Sequence, residues 1–134
     1  MSIPLSAKPF HELGGSNSRV HSFRVLIFIL IVLAAAAHLY LAAQPDEEMR
    51  FFFLLNGLGY LALVTAFFLP QLRSFREPIR WILLGYAGLT IILWLFLGSP
   101  SEGKLDLFDL SVKAVECTLV IVLFLDRRPE KSGV

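Results

Sequence analysis

Cysteine occurs once in the 134 residues, as Cys117, so no disulfide can form within the chain. Charge is also scarce: Asp, Glu, Lys and Arg make up 17% of the sequence and nearly cancel, leaving a net charge of +1. Lys8, Arg19 and Arg24 are too thinly spread for a nucleic-acid patch. The chain has no CxxC, histidine-rich tract, P-loop, dinucleotide fingerprint or internal repeat. The metal, redox and nucleotide chemistries that announce themselves through such motifs are therefore not expected.

What the chain does have is apolar side chain, 56% of it. A soluble domain this small could not bury so much, because small globules expose a large share of their surface. The apolar residues fall into four blocks, at about 23–43, 51–69, 79–97 and 107–125. Each is close to the roughly 20 residues that span about 30 Å of hydrocarbon as a helix. Lipid admits only helices or closed barrels, and near-continuous blocks are not the alternating strands of a barrel. The fold class is accordingly all-α: a polytopic membrane protein of the cell membrane, an antiparallel four-transmembrane-helix bundle. A tail over 1–22 and another over 127–134 flank the membrane domain at 23–126. The first block is too long for a signal-peptide core and no small-x-small cleavage site follows it, so it reads as a retained helix.

Helix ends are marked by polar punctuation. Ser16, Asn17 and Ser18 are candidate caps for the first helix, Asp46 for the second, Ser74 for the third and Asp106 for the fourth. Pro70 stops the second helix, and Gly98 with Pro100 ends the third. Nine of the twelve Lys and Arg residues fall in the two tails and the second connection: Lys8, Arg19, Arg24, Arg73, Arg76, Arg80, Arg127, Arg128 and Lys131. Only Arg50 and Lys104 lie on the other face. The positive-inside rule then puts both termini in the cytoplasm. Trp81 falls near the inner interface and Trp94 near the outer one.

Polar residues within the blocks gather in the outer half. At about 1.5 Å of rise per residue, His38 and Asn56 lie roughly 7 Å below the outer interface, Lys113 roughly 9 Å, Thr90 roughly 12 Å and Glu116 roughly 14 Å. Asp109, Lys113 and Glu116 are spaced four and three apart, which puts them on one helix face. Charges at such depth must face other helices or a wet cavity. His38, Asn56, Asp109, Lys113 and Glu116 are thus a candidate intramembrane polar cluster. Plainer readings stand beside it: Asp109 as a first-turn residue favoured by the helix dipole, Lys113 snorkelling outward, Glu116 as its structural partner, and His38 and Asn56 as hydrogen-bonding glue. Gly57, Gly59, Gly85 and Gly88 read as positions of close helix contact, and Tyr60 and Tyr86 as packing or cavity-lining residues.

The stretches Ala37-His38-Leu39-Tyr40, Asn56-Gly57-Leu58-Gly59 and Val112-Lys113-Ala114-Val115-Glu116 resemble small four-helix prokaryotic integral membrane proteins of unknown function. The resemblance covers roughly residues 23–125 and implies the topology but no activity.

Catalysis is not expected. A membrane b-haem wants two facing histidines and only His38 lies at depth. No serine or cysteine has a base beside it, and a metal would need donors beyond His38 and Glu116. No cofactor or metal is expected, and no catalytic residue is assigned. The chain reads as a non-catalytic membrane protein, an accessory subunit of a larger membrane complex or a self-associating homo-oligomer. The alternative is a small transporter or proton-linked carrier with an outer-half polar cavity. The expected partners are the lipid bilayer and other membrane subunits or further copies, with no nucleic acid.

Overall fold

The computed structural model describes residues 15–45, 47–98 and 106–126. Among them the chain is helical, with four α-helices and no strand. They are α1 (Gly15–Ala42), α2 (Arg50–Phe68), α3 (Arg76–Leu97) and α4 (Leu107–Leu125), with a 3-10 segment, Pro70–Phe75, joining α2 to α3. The segments His21–Ala42, Arg50–Phe68 and Pro70–Leu97 are long and apolar enough to cross a membrane. The fourth helix matches α2 at 19 residues but carries Asp109, Lys113 and Glu116.

Each helix packs against two others, and neither α1 with α3 nor α2 with α4 is in backbone contact among the described residues. That is the arrangement of a square bundle. Phe28 meets Phe68 edge-on at 5.4 Å while His38 lies 6.0 Å from Phe53, so α1 and α2 run in opposite directions. Thr90 with Glu116, and Arg80 with the Asp126 carbonyl, give α3 and α4 the same relation.

The bundle has two unlike halves. Toward the α2–α3 connection the interior is apolar, with Ile27, Ile31, Leu83, Leu119 and Leu123 fully buried beside Val64, Phe67 and Ile79. Toward the other end the buried residues include His38, Thr90, Lys113 and Glu116. Outside, the surface is itself apolar: Phe52, Phe96 and Leu107 are 65%, 74% and 77% exposed. So much exposed apolar area is unstable in water and suits a lipid surround.

Helix ends depart from the sequence reading. The first helix is already formed at Gly15, so Ser16, Asn17 and Ser18 lie inside it rather than ahead of it. Helical geometry continues past the apolar block because nothing in Ser16–Ser22 breaks it. Asp46 lies outside the described residues; Glu47 accepts the Met49 N–H at 3.1 Å ahead of α2. Ser74 does not cap α3, because the 3-10 segment runs through it and α3 follows directly from Phe75. Pro78 then sits in the first turn of α3, where its missing N–H costs nothing. Asp106 occupies the N-cap position of α4 with extended backbone but no side-chain cap bond. Gly98 closes α3 as expected, its N–H donating to the Trp94 carbonyl at 2.9 Å.

Two of the four glycines mark close approach. A β-carbon at Gly57 would meet Leu39 Cγ at 2.7 Å and the Ala35 carbonyl at 3.2 Å, where α1 and α2 press together. One at Gly59 would run into the Tyr86 hydroxyl. Gly85 and Gly88 face open space and are not contact positions, contrary to the reading from sequence.

Candidate functional site

Glu116 lies at the centre of the polar half and is wholly buried. Val112, Glu116, Leu119 and Leu123 recur at three- and four-residue spacing, which turns this stripe of α4 inward. The face that puts leucine in the core of the apolar half therefore carries a carboxylate into the core of the polar half.

Every other helix supplies a partner. From α2, the Tyr60 hydroxyl donates to Glu116 Oε1 at 3.0 Å. From α3, Thr90 Oγ1 stands 2.9 Å from the same oxygen. From α1, His38 Nε2 is 3.5 Å from it. Within α4, one turn away, Lys113 Nζ donates to Oε2 at 2.6 Å. Lys113 is itself 8% exposed, so it turns into the bundle rather than snorkelling to its edge. Its ammonium also lies 6.0 Å from the centre of the Trp94 ring.

The protons in this layer can be counted. His38 Nδ1 lies 2.8 Å from the Ala34 carbonyl, which can only accept, so Nδ1 carries a hydrogen. Nε2 therefore bears a hydrogen only when the ring is an imidazolium. Thr90 has one hydroxyl hydrogen and two acceptors within reach, the Ala87 carbonyl at 2.8 Å and Glu116 Oε1. The Tyr60 and Thr90 hydroxyls are also 3.2 Å apart. Two hydroxyl hydrogens thus serve four contacts, and the His38 Nε2–Glu116 Oε1 contact is an open proton position as long as the ring is neutral.

Of the residues singled out in the sequence, His38, Lys113 and Glu116 come together here. Asp109 is half-buried and close enough for its charge to act on His38. Asn56 does not join: among the described residues its Oδ1 is buried with no hydrogen-bond partner, and its backbone carbonyl accepts from the Tyr86 hydroxyl at 3.2 Å. Tyr60 and Thr90 belong to the layer although neither was named as a site residue. A fully buried tyrosine must find a partner for its hydroxyl, and Tyr60 follows Asn56 by four residues on the same face of α2.

The layer is made of side chains packed on one another. Ser111, Thr118 and Thr65 donate to the carbonyls four residues earlier, at 2.8, 2.7 and 2.7 Å, which is the usual way a hydroxyl is satisfied at an apolar helix surface. The groove between α1 and α4, lined by Leu33, Ala34, Ala37, Ser111, Val112 and Val115, includes none of the residues around Glu116. No three His, Cys, Asp or Glu residues among those described are placed to hold a metal ion. Chemically the arrangement can hold helices in register and can exchange a proton. No protein-family model, curated protein or solved structure matches this chain.

Proposed function

We propose that the chain is a four-span integral membrane protein with both termini cytoplasmic, and that it is a non-catalytic component: a subunit of a larger membrane assembly or of an assembly of its own copies. The carrying observation is the burial of Glu116 with a hydrogen-bonding or charged partner from each of the other three helices. It also accounts for the fourth span. Lys113 and Glu116 are paired inside, so the outward face of α4 presents Leu107, Leu110, Ile121 and Phe124 to lipid. Buried polar groups in lipid need protein partners, and here they fix which helices meet and at what height. The excess of Lys and Arg on one face supports the orientation.

Two measurements test this reading. Native mass spectrometry from mild detergent should give a mass above that of one chain. Cysteine placed at Ser101 should label from outside the cell, and cysteine at Ser74 or Ser132 only after the membrane is opened. A strictly monomeric mass, or outside labelling at Ser132, contradicts it.

The open proton position between His38 and Glu116 favours a second reading, a proton-linked carrier. The carrier reading requires that Glu116→Gln abolish proton flux into liposomes while the bundle stays folded. The structural reading requires no flux from either protein.

A further inference from the structure

The seams between neighbouring helices are not equally closed. Between α1 and α2, Leu39 and the Ala35 carbonyl press on Gly57 so tightly that a β-carbon would not fit. Between α1 and α4 a groove of about 160 Å³ remains, lined by Leu33, Ala34 and Ala37 on one side and Ser111, Val112 and Val115 on the other. His38 follows Ala34 by one turn and Glu116 follows Val112 by one turn, so the two lie beside this groove. Across the seam His38 Nε2 faces Glu116 Oε1 at 3.5 Å.

With Nδ1–H committed to the Ala34 carbonyl at 2.8 Å, a neutral ring turns the Nε2 lone pair toward a carboxylate oxygen. Two acceptors then meet without a hydrogen between them. An imidazolium reverses this, because Nε2–H donates to the carboxylate in a charge-assisted bond. The groups around the ring come from every helix. Tyr60 of α2, its ring 5.7 Å away, is an uncharged hydroxyl. From α3, Thr90 does not titrate and Tyr86 stands behind Tyr60 at 5.1 Å. From α4 come Asp109, Lys113 and Glu116, on one face. Lys113 opposes a second cation, but its ammonium is spent on the other carboxylate oxygen, Oε2, at 2.6 Å. Counted as ions, Asp109 and Glu116 are two acids against the one base Lys113. A proton on His38 makes the count two against two, and paired charge is the form a membrane interior tolerates.

We propose that His38 and Glu116 form a proton-operated latch: uptake of one proton by His38 ties α1 to α4 across the open seam, and its loss frees α1 to shift. The proposal rests on the reading of the Glu116 layer as the device that fixes the helices, and it names what regulates that layer. The proton comes from solvent, and both partners are ions in the closed state. Tyr60 donates to Glu116 Oε1 from α2 whether or not His38 carries the proton, so the latch acts on the α1–α4 seam alone. A histidine facing a carboxylate across a loose seam is a pH-biased element of the kind that moves interfaces in known switches.

The test uses the full chain, with nitrogen-15-labelled histidine, in phosphatidylcholine nanodiscs between about pH 8 and about pH 5. The His38 Nε2 resonance, assigned by its loss in His38→Gln, should pass from the unprotonated to the protonated form in one step. In Glu116→Gln the same step should need at least about ten times more acid, because the anion that holds the proton is gone. Spin labels on Cys117 and on Ala36→Cys, both exposed positions, should draw together across the step. In His38→Gln, whose amide can donate to Glu116 at every pH, the label distance should not change with pH. An Nε2 that holds one form throughout overturns the proposal, as does a step that Glu116→Gln leaves in place. A step without any change in label distance overturns the latch, as does a pH response that survives in His38→Gln. A monomeric native mass with the step and the distance change intact overturns the assembly reading alone, whereas an oligomer that shows neither overturns the latch alone.

Discussion

The apolar half of the bundle and the polar half pack the same four helices by different means. In the first, Ile27, Ile31, Leu83, Leu119 and Leu123 fill the interior with side chains that attract without direction. In the second, one carboxylate takes partners from α1, α2 and α3 at fixed atoms and distances. Lipid rewards apolar burial little, since a leucine is as comfortable in hydrocarbon as in a protein core. Apolar contact alone would let the helices slide or rotate past one another at small cost. The Glu116 layer removes that freedom, because each displaced helix leaves a buried polar group unpaired.

The contrast can be broken in several ways. The largest effect should come from Lys113→Met, which strands a buried carboxylate and should cost about 3–5 kcal/mol, unless Glu116 takes up a proton. Reversible unfolding in mixed micelles measures it, and a cost like that of a surface change would contradict the pairing. In the apolar half, Leu119→Ala should cost about 2 kcal/mol by the same assay, the low end for a core truncation, because the transfer term is weak in lipid. Gly59→Ala should cost about 1 kcal/mol, since the Tyr86 hydroxyl can swing aside but loses its bond to the Asn56 carbonyl. Gly85→Ala, facing open space, should be neutral or stabilising by up to about 1 kcal/mol, the helix-propensity gain. Thr118→Val, whose hydroxyl only returns to the Ala114 carbonyl, should stay within about 0.5 kcal/mol of the parent.

The difference between the halves also decides what could be read from the sequence. Four apolar blocks announce four helices, because the length needed to cross lipid is fixed by the rise per residue. The charge stripe on α4 was legible for the same kind of reason: Lys113 and Glu116 share a face by spacing alone. Helix ends were legible only in part: Asp106 and Gly98 stand at the ends of α4 and α3 as read, but two other ends do not fall where the capping residues suggest. Ser16 and Ser74 are capping residue types, but Ser16 already lies within α1 and the 3-10 segment runs through Ser74. The partners of Glu116 on other helices depend on rotation about each helix axis, which spacing within one helix does not give. Asn56 and Tyr60 lie on one face of α2, and it is Tyr60 that reaches the carboxylate. Gly85 and Gly88 look like contact glycines until the rotation of α3 is known.

Glu116 is held in a protein-lined interior by Lys113 and partners from the other three helices. A double-mutant cycle of Lys113→Met and Glu116→Gln, read as unfolding free energy in one mild-detergent system, tests it most directly. We expect strong coupling: Lys113→Met alone is the most damaging, and adding Glu116→Gln recovers much of the loss, because no unpaired charge remains in the core. Strictly additive effects, with the double variant as unstable as the two losses combined, would contradict it.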